Sequence, residues 1–152
     1  MNPGDKVYLL RVREIHAAIY HGAPAAAFQR EKWCSVALTA DGRLRELSLE
    51  SGKQGSTLSG VRAAFSIVTS VALQCGVPLE AFVEGFTNMR FEPAGMTDDP
   101  DVRMAQSLMD YVFRRLALDY LDSDTRSYLG IHSAEERARQ LDTGSYAPVD
   151  TQ

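Results

Sequence analysis

A change in hydrophobic periodicity between residues 33 and 75 most strongly constrains how this chain folds. Residues 33–50 (WCSVALTADGRLRELSLE) largely alternate with a period of two around Asp41-Gly42, a dipeptide typical of a two-residue type I′ hairpin turn. From Leu58 onward, apolar residues instead recur every three or four positions, at Val61, Phe65, Val68 and Ala72. A hairpin followed directly by an amphipathic helix predicts an α+β fold with a small antiparallel sheet.

A two-residue turn also predicts the register of the hairpin and what must cover it. The expected cross-strand pairs are Ala40 with Arg43, Leu38 with Arg45, Val36 with Leu47, and Cys34 with Leu49. One face of the sheet would then have an apolar end that needs a cover. We expect the following helix to supply it, because Ile67 and Val71 widen the apolar stripe and predict burial on more than one side.

Helix-terminal residues predict three helices packed against this sheet, near 57–75, 78–87 and 100–121. Gly76 ends the first helix and Pro78 opens the second. In the third, Asp99 is expected at the N-cap and Pro100 at the first helical position. We expect residues 1–121 to form one domain. Residues 122–152, where apolar residues become sparse, are expected to form a weakly structured C-terminal tail.

Composition excludes several classes of function. The chain has 152 residues and a formal net charge of −4, which disfavours nucleic-acid binding and anchoring to an anionic membrane. No apolar stretch is long enough to span a bilayer, and the first residues lack a signal-peptide pattern, so we expect a cytoplasmic protein. Cys34 and Cys75 lack the spacing of a metal site, and apolar packing is expected for both.

The predicted start of the first helix is a candidate anion site. Residues 52–57 (GKQGST) combine a glycine turn with Lys53. The hydroxyls of Ser56, Thr57 and Ser59 are close to this turn in the sequence. Free backbone N–H groups at a helix start can also bind phosphates. The spacing is not that of a Walker A loop. Simple N-capping by Ser56 or Thr57 explains the same residues.

The segment Arg90-Phe91-Glu92 is a second candidate, for binding a ligand or a partner. In an extended segment the side chains of Arg90 and Glu92 project to one side and Phe91 projects to the other, where it would anchor the loop in the core. The alternative is that both charges pair with nearby groups and hold the loop.

The acidic residues at 98, 99 and 101 are interpreted as helix caps and not as metal ligands, because a calcium loop also needs its glycine and terminal glutamate. No common catalytic motif is present.

Several motifs in one order resemble a known family. They are 41–43 (DGR), 54–60 (QGSTLSG), 73–80 (LQCGVPLE), 86–97 (FTNMRFEPAGMT) and 110–114 (DYVFR). Together they resemble the C-terminal TSCPD-type domain of adenosylcobalamin-dependent (class II) ribonucleotide reductases, over roughly residues 33–121.

The resemblance implies a role in ribonucleoside-diphosphate reduction without catalysis by this chain. In that family the radical chemistry and the adenosylcobalamin belong to a separate large barrel, so no cofactor is expected here. The resemblance implies a non-catalytic accessory or interaction module that binds a large reductase chain or a second copy of itself. Lys53, Ser56, Thr57, Ser59, Arg90 and Glu92 are the candidate binding residues. The alternative function is a small-molecule domain that holds a nucleotide or phosphate at the helix start, Gly55 to Gly60.

Overall fold

A computed structural model describes residues 8–11, 33–39, 41–50, 55–92, 94–97 and 99–148. The chain divides into two compact units, Met1–Ala81 and Phe82–Gln152, and each is described by itself. Helices and small antiparallel sheets occur together, which confirms the predicted α+β class. The single domain predicted over residues 1–121 stays a prediction.

The first unit contains a three-stranded antiparallel sheet in the order β1-β2-β3. Its strands are β1 (Tyr8–Arg11), β2 (Trp33–Leu38) and β3 (Leu44–Glu50). The pairs Val36–Leu47 and Cys34–Leu49 are confirmed. The side chains of Val36, Leu47 and Leu49 are buried, as the apolar end of the sheet predicts. Residues 12–32 lie outside the described part of the chain.

The hairpin turn differs from the prediction near its tip. Thr39 N–H donates to Arg43 O and Gly42 N–H donates to Thr39 O, both at 2.9 Å, so the hairpin closes between Thr39 and Arg43, around three positions and not the predicted two. Gly42 has φ +82°, the left-handed residue that this loop type requires. The ladder shifts between Ala37 and Leu38, and Leu38 pairs with Leu44 and not with the predicted Arg45.

Helix α1 (Thr57–Gln74) covers the open edge of β3. The Ser70 hydroxyl accepts a hydrogen bond from Leu47 N–H at 3.0 Å and donates to Leu47 O at 3.2 Å. The Ser66 hydroxyl accepts from Leu49 N–H at 3.0 Å and donates to Arg62 O. Two serines of the helix therefore satisfy backbone groups that an edge strand would otherwise expose.

The prediction that α1 buries its apolar stripe on more than one side is wrong. The buried residues of α1 are Ser66 and Thr69. Val61, Val68 and Val71 are between 54% and 67% exposed, and so are Leu58 and Ile67. Small hydroxyl side chains face the strand because they let the two backbones approach and also bond β3. The aliphatic residues are consequently turned away from it.

The second unit contains the end of one helix, three further helices and a short β-ribbon. Helix α2 (Leu79–Phe86) runs across the boundary between the units. Strands β4 (Gly95–Met96) and β5 (Met104–Ala105) pair antiparallel, and α3 (Leu108–Tyr120), α4 (Ser123–Tyr128) and α5 (Ala134–Thr143) follow. Its core contains mainly apolar residues, namely Val83, Val102, Ala105, Val112, Phe113, Leu116, Ala117 and Ile131.

Two predictions about this unit need correction. The third helix begins at Leu108 and not near residue 100, because the Ser107 hydroxyl caps it by accepting from Asp110 N–H. Residues 100–107 instead form a connection that includes β5. The weakly structured tail is also wrong for residues 123–143. Asp122 caps α4, and Ser133 and Glu136 form a capping box on α5 that supports this polar helix without a large apolar face.

Candidate functional site

The segment that follows α2 is held in place by one buried carboxylate. The Asp110 side chain on α3 is fully buried. Its Oδ1 accepts from Asn88 N–H at 2.7 Å and from Arg114 Nε at 2.8 Å, and its Oδ2 accepts from Gln106 N–H at 2.9 Å. Asn88 has φ +66°, a conformation that asparagine adopts more readily than most residues. Asp110 thus fixes both ends of the segment from residue 88 to 106.

Further bonds connect this carboxylate to the predicted recognition loop. Arg114 Nη2 donates to Asn88 Oδ1 at 2.7 Å. Arg90 Nε donates to Gln106 Oε1 at 2.6 Å, and Phe91 N–H donates to Gln106 O at 3.3 Å. The arginine head group is consequently oriented through Gln106, whose own N–H is bound by Asp110.

The candidate residues of this loop are placed as follows. Arg90 and Glu92 are exposed, and Glu92 Oε2 accepts from Ala94 N–H at 3.1 Å. Their local hydrogen bonds fit the alternative in which the charges hold the loop. The prediction that Phe91 anchors the loop in the core is wrong, because Phe91 is 42% exposed. Aromatic packing in this unit is made instead by Phe82, Phe86 and Phe113, with ring centroids 5.0–6.4 Å apart.

The start of α1 has the geometry of a capped helix. The Ser56 hydroxyl accepts from Ser59 N–H at 3.1 Å, which confirms the capping interpretation of Ser56. Gly55, Ser56 and Thr57 are exposed, and the first turn has no acidic residue. Lys53 lies outside the described residues. A nucleotide or phosphate site between Gly55 and Gly60 stays a prediction.

The acidic residues before α3 form a network around Arg115. Arg115 Nη1 lies 3.1 Å from Asp99 Oδ2 and 3.1 Å from Asp101 Oδ2, and Arg115 Nη2 lies 2.7 Å from Asp119 Oδ1. Tyr111 OH donates to Asp99 Oδ2 at 2.9 Å. Burial alone would raise the pKa of Asp99, but the hydrogen bonds from Tyr111, Asp101 N–H and Arg115 hold it below its usual value. Asp99 is therefore a partner of Arg115 and not the predicted N-cap; position 98 lies outside the described residues.

A similar network organises α4 and α5. Arg126 makes two bonds of 2.8 Å to the carboxylate of Glu136. Those bonds, opposed by burial, lower the pKa of Glu136 to about 2. Arg137 donates to the carbonyls of Pro100 and Asp101, both at 2.9 Å, and Ala134 N–H donates to Asp101 Oδ1 at 2.8 Å. The Arg126–Glu136 pair therefore joins α4 to α5, and the bonds of Arg137 and Asp101 hold α5 on the connection before α3.

The described residues offer few further candidates for chemistry. Within residues 8–11, 33–39, 41–50, 55–92, 94–97 and 99–148, no group of three or more His, Cys, Asp or Glu is placed to hold a metal ion. In the same part of the chain, no helix is both long and apolar enough to cross a membrane. Cys75 is a free thiol and is exposed, so the prediction of core packing is wrong for this residue. The side chain of Cys34 lies outside the described residues.

Sequence reasoning missed the roles of Asp110, Gln106, Ser66 and Ser70. The spacing of Asp110 and Arg114 is the i,i+4 spacing of a helical ion pair and was a usable signal. The interruption of the apolar stripe of α1 by Ser66, Thr69 and Ser70 was a second one. Neither signal identifies the backbone groups that these side chains bind.

Comparison with known proteins agrees with the motifs. The TSCPD domain model matches residues 22–120. A vitamin B12-dependent ribonucleotide reductase of Streptomyces coelicolor is 70% identical over 110 residues, which are 72% of this chain and 11% of that protein. The corresponding protein of Streptantibioticus cattleyicolor is 69% identical over 110 residues, 72% of this chain and 18% of that protein. That of Rhodopirellula baltica is 38% identical over 118 residues, 78% of this chain and 11% of that protein.

The chain therefore spans a minor part, 11% to 18%, of the length of these relatives. No solved structure matches it. The family match covers most of the chain and includes α1, α2, the Arg90 loop and the hydrogen bonds of Asp110. It confirms the resemblance that was inferred from the motifs. The chain belongs to the TSCPD domain family, and it is related through this domain to vitamin B12-dependent ribonucleotide reductases.

Proposed function

We propose that this chain is a non-catalytic accessory module that binds the large chain of a vitamin B12-dependent ribonucleotide reductase. The observation that carries the proposal is the 70% identity to one small part of such an enzyme, combined with a span of 11% of its length. A domain this similar is expected to keep the surfaces by which it meets the rest of the enzyme. The adenosylcobalamin and the radical chemistry would belong to the large chain.

The engaged charges support a structural role for the domain. Asp99, Asp101 and Asp110 each bond an arginine or backbone N–H groups, and Glu136 bonds Arg126. For Asp99 and Glu136 these bonds hold the pKa of the carboxyl below its usual value, so both are poor proton donors at neutral pH. The hydrogen bonds of all four carboxylates are suited to rigidify a binding surface.

A binding and activity assay with the large reductase chain of the same organism tests the proposal. Immobilised 152-residue chain is expected to retain the large chain. Adding it to that chain, with adenosylcobalamin, a dithiol and a ribonucleotide, is expected to change the rate of deoxyribonucleotide formation. This chain alone is expected to form no product. A large chain that neither binds nor changes in activity would contradict the proposal, as would product formed by this chain alone.

The candidate recognition residues are tested in the same assay. Arg90→Ala and Glu92→Ala each remove one exposed charge whose partners are local, so both variants are expected to fold. If this loop recognises the large chain, each variant is expected to weaken binding by about 2- to 30-fold, which corresponds to one polar contact of about 0.5–2 kcal/mol. Glu84→Gln on the exposed side of α2 is the matched control and is expected to bind normally.

A further inference from the structure

The exposed side of α1 is an aliphatic surface with regular spacing. Val61, Ala64, Val68 and Val71 are all exposed, and the exposed Cys75 follows in the same spacing. Steps of three and four residues place them along one side of an α-helix, since successive residues are about 100° apart. Ile67 lies beside this row and is 64% exposed. We call these six residues the α1 face.

The opposite side of the helix is already occupied. Ser66 and Ser70 bond the backbone of β3, and Thr69 is buried. The arrangement inverts the usual one, in which a surface helix buries its apolar side and exposes its polar side. Val61, Ile67, Val68 and Val71 are each more than half exposed, and contiguous apolar patches of this kind mark interaction sites.

The scarcity of charged residues on α1 indicates which kind of partner surface would cover the α1 face. The helix has one charged residue, Arg62, with no acidic residue in its first turn and no basic residue in its last. Its partner must therefore be apolar and need not supply a complementary charge. The i, i+3, i+7 and i+10 spacing of the α1 face is the pattern by which a helix inserts side chains into a hydrophobic groove.

Area favours a large partner over a second copy. An 18-residue helix is about 27 Å long and about 10 Å wide, so its exposed side offers roughly 300 Å². Stable interfaces bury about 800 Å² on each partner, and two copies meeting only along this helix would not reach that area. A groove encloses the sides of the helix as well and buries more. In the Streptomyces coelicolor relative, roughly nine tenths of the protein lies outside the matching segment, which covers 11% of its length.

We propose that the α1 face docks into an apolar groove on the large chain of a vitamin B12-dependent ribonucleotide reductase. The inference rests on the proposed function and names the surface that would carry it. The α1 face then forms the centre of the interface, and Val68, at the middle of the row, contributes most.

Lysine substitutions on two sides of the same helix test the proposal. Val68→Lys places a charge at the centre of the α1 face and is expected to weaken binding of the large chain at least tenfold. Ala63→Lys is the matched control, because Ala63 is exposed on the same helix about 140° away from Val68. It carries the same added charge and is expected to change the dissociation constant less than about twofold. Circular dichroism verifies that both variants keep their helices.

The native thiol of Cys75 gives a second readout that needs no variant. Maleimide labelling of the Cys75 peptide, followed by mass spectrometry, is expected to slow at least tenfold when the wild-type chain is saturated with the large chain. Sedimentation of the chain alone determines whether it dimerises, and labelling of any dimer determines whether the α1 face lies in that interface.

The outcomes separate this inference from the proposed function. If wild type and Val68→Lys bind the large chain equally, or if Cys75 stays reactive in the complex, the docking surface is wrong and the accessory role stands. If wild type does not bind, the accessory role fails and the docking surface fails with it. A dimer of this chain that protects Cys75 would overturn the choice of the large chain as occupant. If Val68→Lys does not fold, the docking surface is tested by whether the large chain protects Cys75 of the wild-type chain from maleimide.

Discussion

Asp110 shows how one side chain can hold a connection that sequence patterns describe only as a loop. Its two oxygens accept hydrogen bonds from Asn88 N–H, Gln106 N–H and Arg114 Nε, although its side chain is fully buried. A buried carboxylate is tolerated only when it is paired and hydrogen-bonded, as it is here. It bonds the N–H of Asn88, which is in the left-handed conformation, and the N–H of Gln106, whose side chain bonds Arg90.

Asp110→Ala is expected to lower the free energy of unfolding by about 3–5 kcal/mol, because the change leaves Arg114 and two backbone N–H groups without their acceptor. Asp110→Asn keeps one acceptor oxygen and should cost less. Urea denaturation measures the loss, and hydrogen exchange at Asn88 shows whether the loop is released. Glu84→Gln, on an exposed position of the same unit, is expected to stay within about 0.5 kcal/mol of wild type. An Asp110→Ala variant as stable as this control would show that the network is dispensable.

Glu136 should make the stability of α5 dependent on pH. Its pKa is lowered from 4.5 to about 2 by the bonds from Arg126, so the folded chain holds the charged form more strongly than the unfolded chain does. The stabilisation is complete above about pH 4.5 and is lost as the pH falls toward 2. Glu136→Gln is expected to increase amide exchange within Ala134–Thr143 at pH 7, and the difference from wild type should disappear near pH 2.

Glu135 provides the control for this pH dependence. It lies in the same first turn of α5, and its side chain is 85% exposed beside Arg139. Exposed pairs of this kind contribute little, so Glu135→Gln is expected to leave the exchange profile nearly unchanged. A pH profile that is the same for wild type and Glu136→Gln would contradict the role assigned to the Arg126–Glu136 pair.

At the scale of elements, the contact between α1 and β3 is made by hydroxyl groups. The outer strand of a sheet presents N–H and C=O groups that lack a partner within the sheet. Here the hydroxyls of Ser66 and Ser70 accept hydrogen bonds of 3.0 Å from Leu49 N–H and Leu47 N–H. These bonds fix which side of the helix meets the strand and therefore which side remains exposed.

The double variant Ser66→Ala with Ser70→Ala removes both acceptors while keeping a good helix former at each position. Each buried N–H left without an acceptor costs about 1–3 kcal/mol. Faster amide exchange at Leu47 and Leu49, measured by NMR, is the expected result, together with a lower unfolding temperature. Thr57→Ala changes a hydroxyl at an exposed position of the same helix and should leave both amides protected. Unchanged exchange at Leu47 and Leu49 in the double variant would show that α1 is held by other contacts.

For the whole molecule, the α+β class, the bounds of α1 and α2 and the pairing of Val36 with Leu47 were predictable from sequence. Each depends on residues close together in the chain: alternating apolar residues, a capping serine at Ser56, and Gly76 after the helix. The family was predictable as well, because its motifs occur in one order between residues 41 and 114, and the family model that matches residues 22–120 confirms it. A candidate loop at Arg90 was also found by sequence, although Phe91 does not anchor it.

The remaining features were decided by tertiary structure. Ser107 and not Asp99 caps α3, because Asp99 binds Arg115 and Tyr111. Likewise the serines of α1 face β3 because they accept hydrogen bonds from the N–H groups of Leu49 and Leu47. These groups lie 17 and 23 positions away from the serines in the chain. Hydrophobic periodicity indicates that a helix has an apolar side, but it does not indicate what that side contacts. Sequence alone therefore determined the hairpin, the first two helices and the family of this protein. Long-range hydrogen bonds determined which side of α1 meets β3 and which side stays exposed.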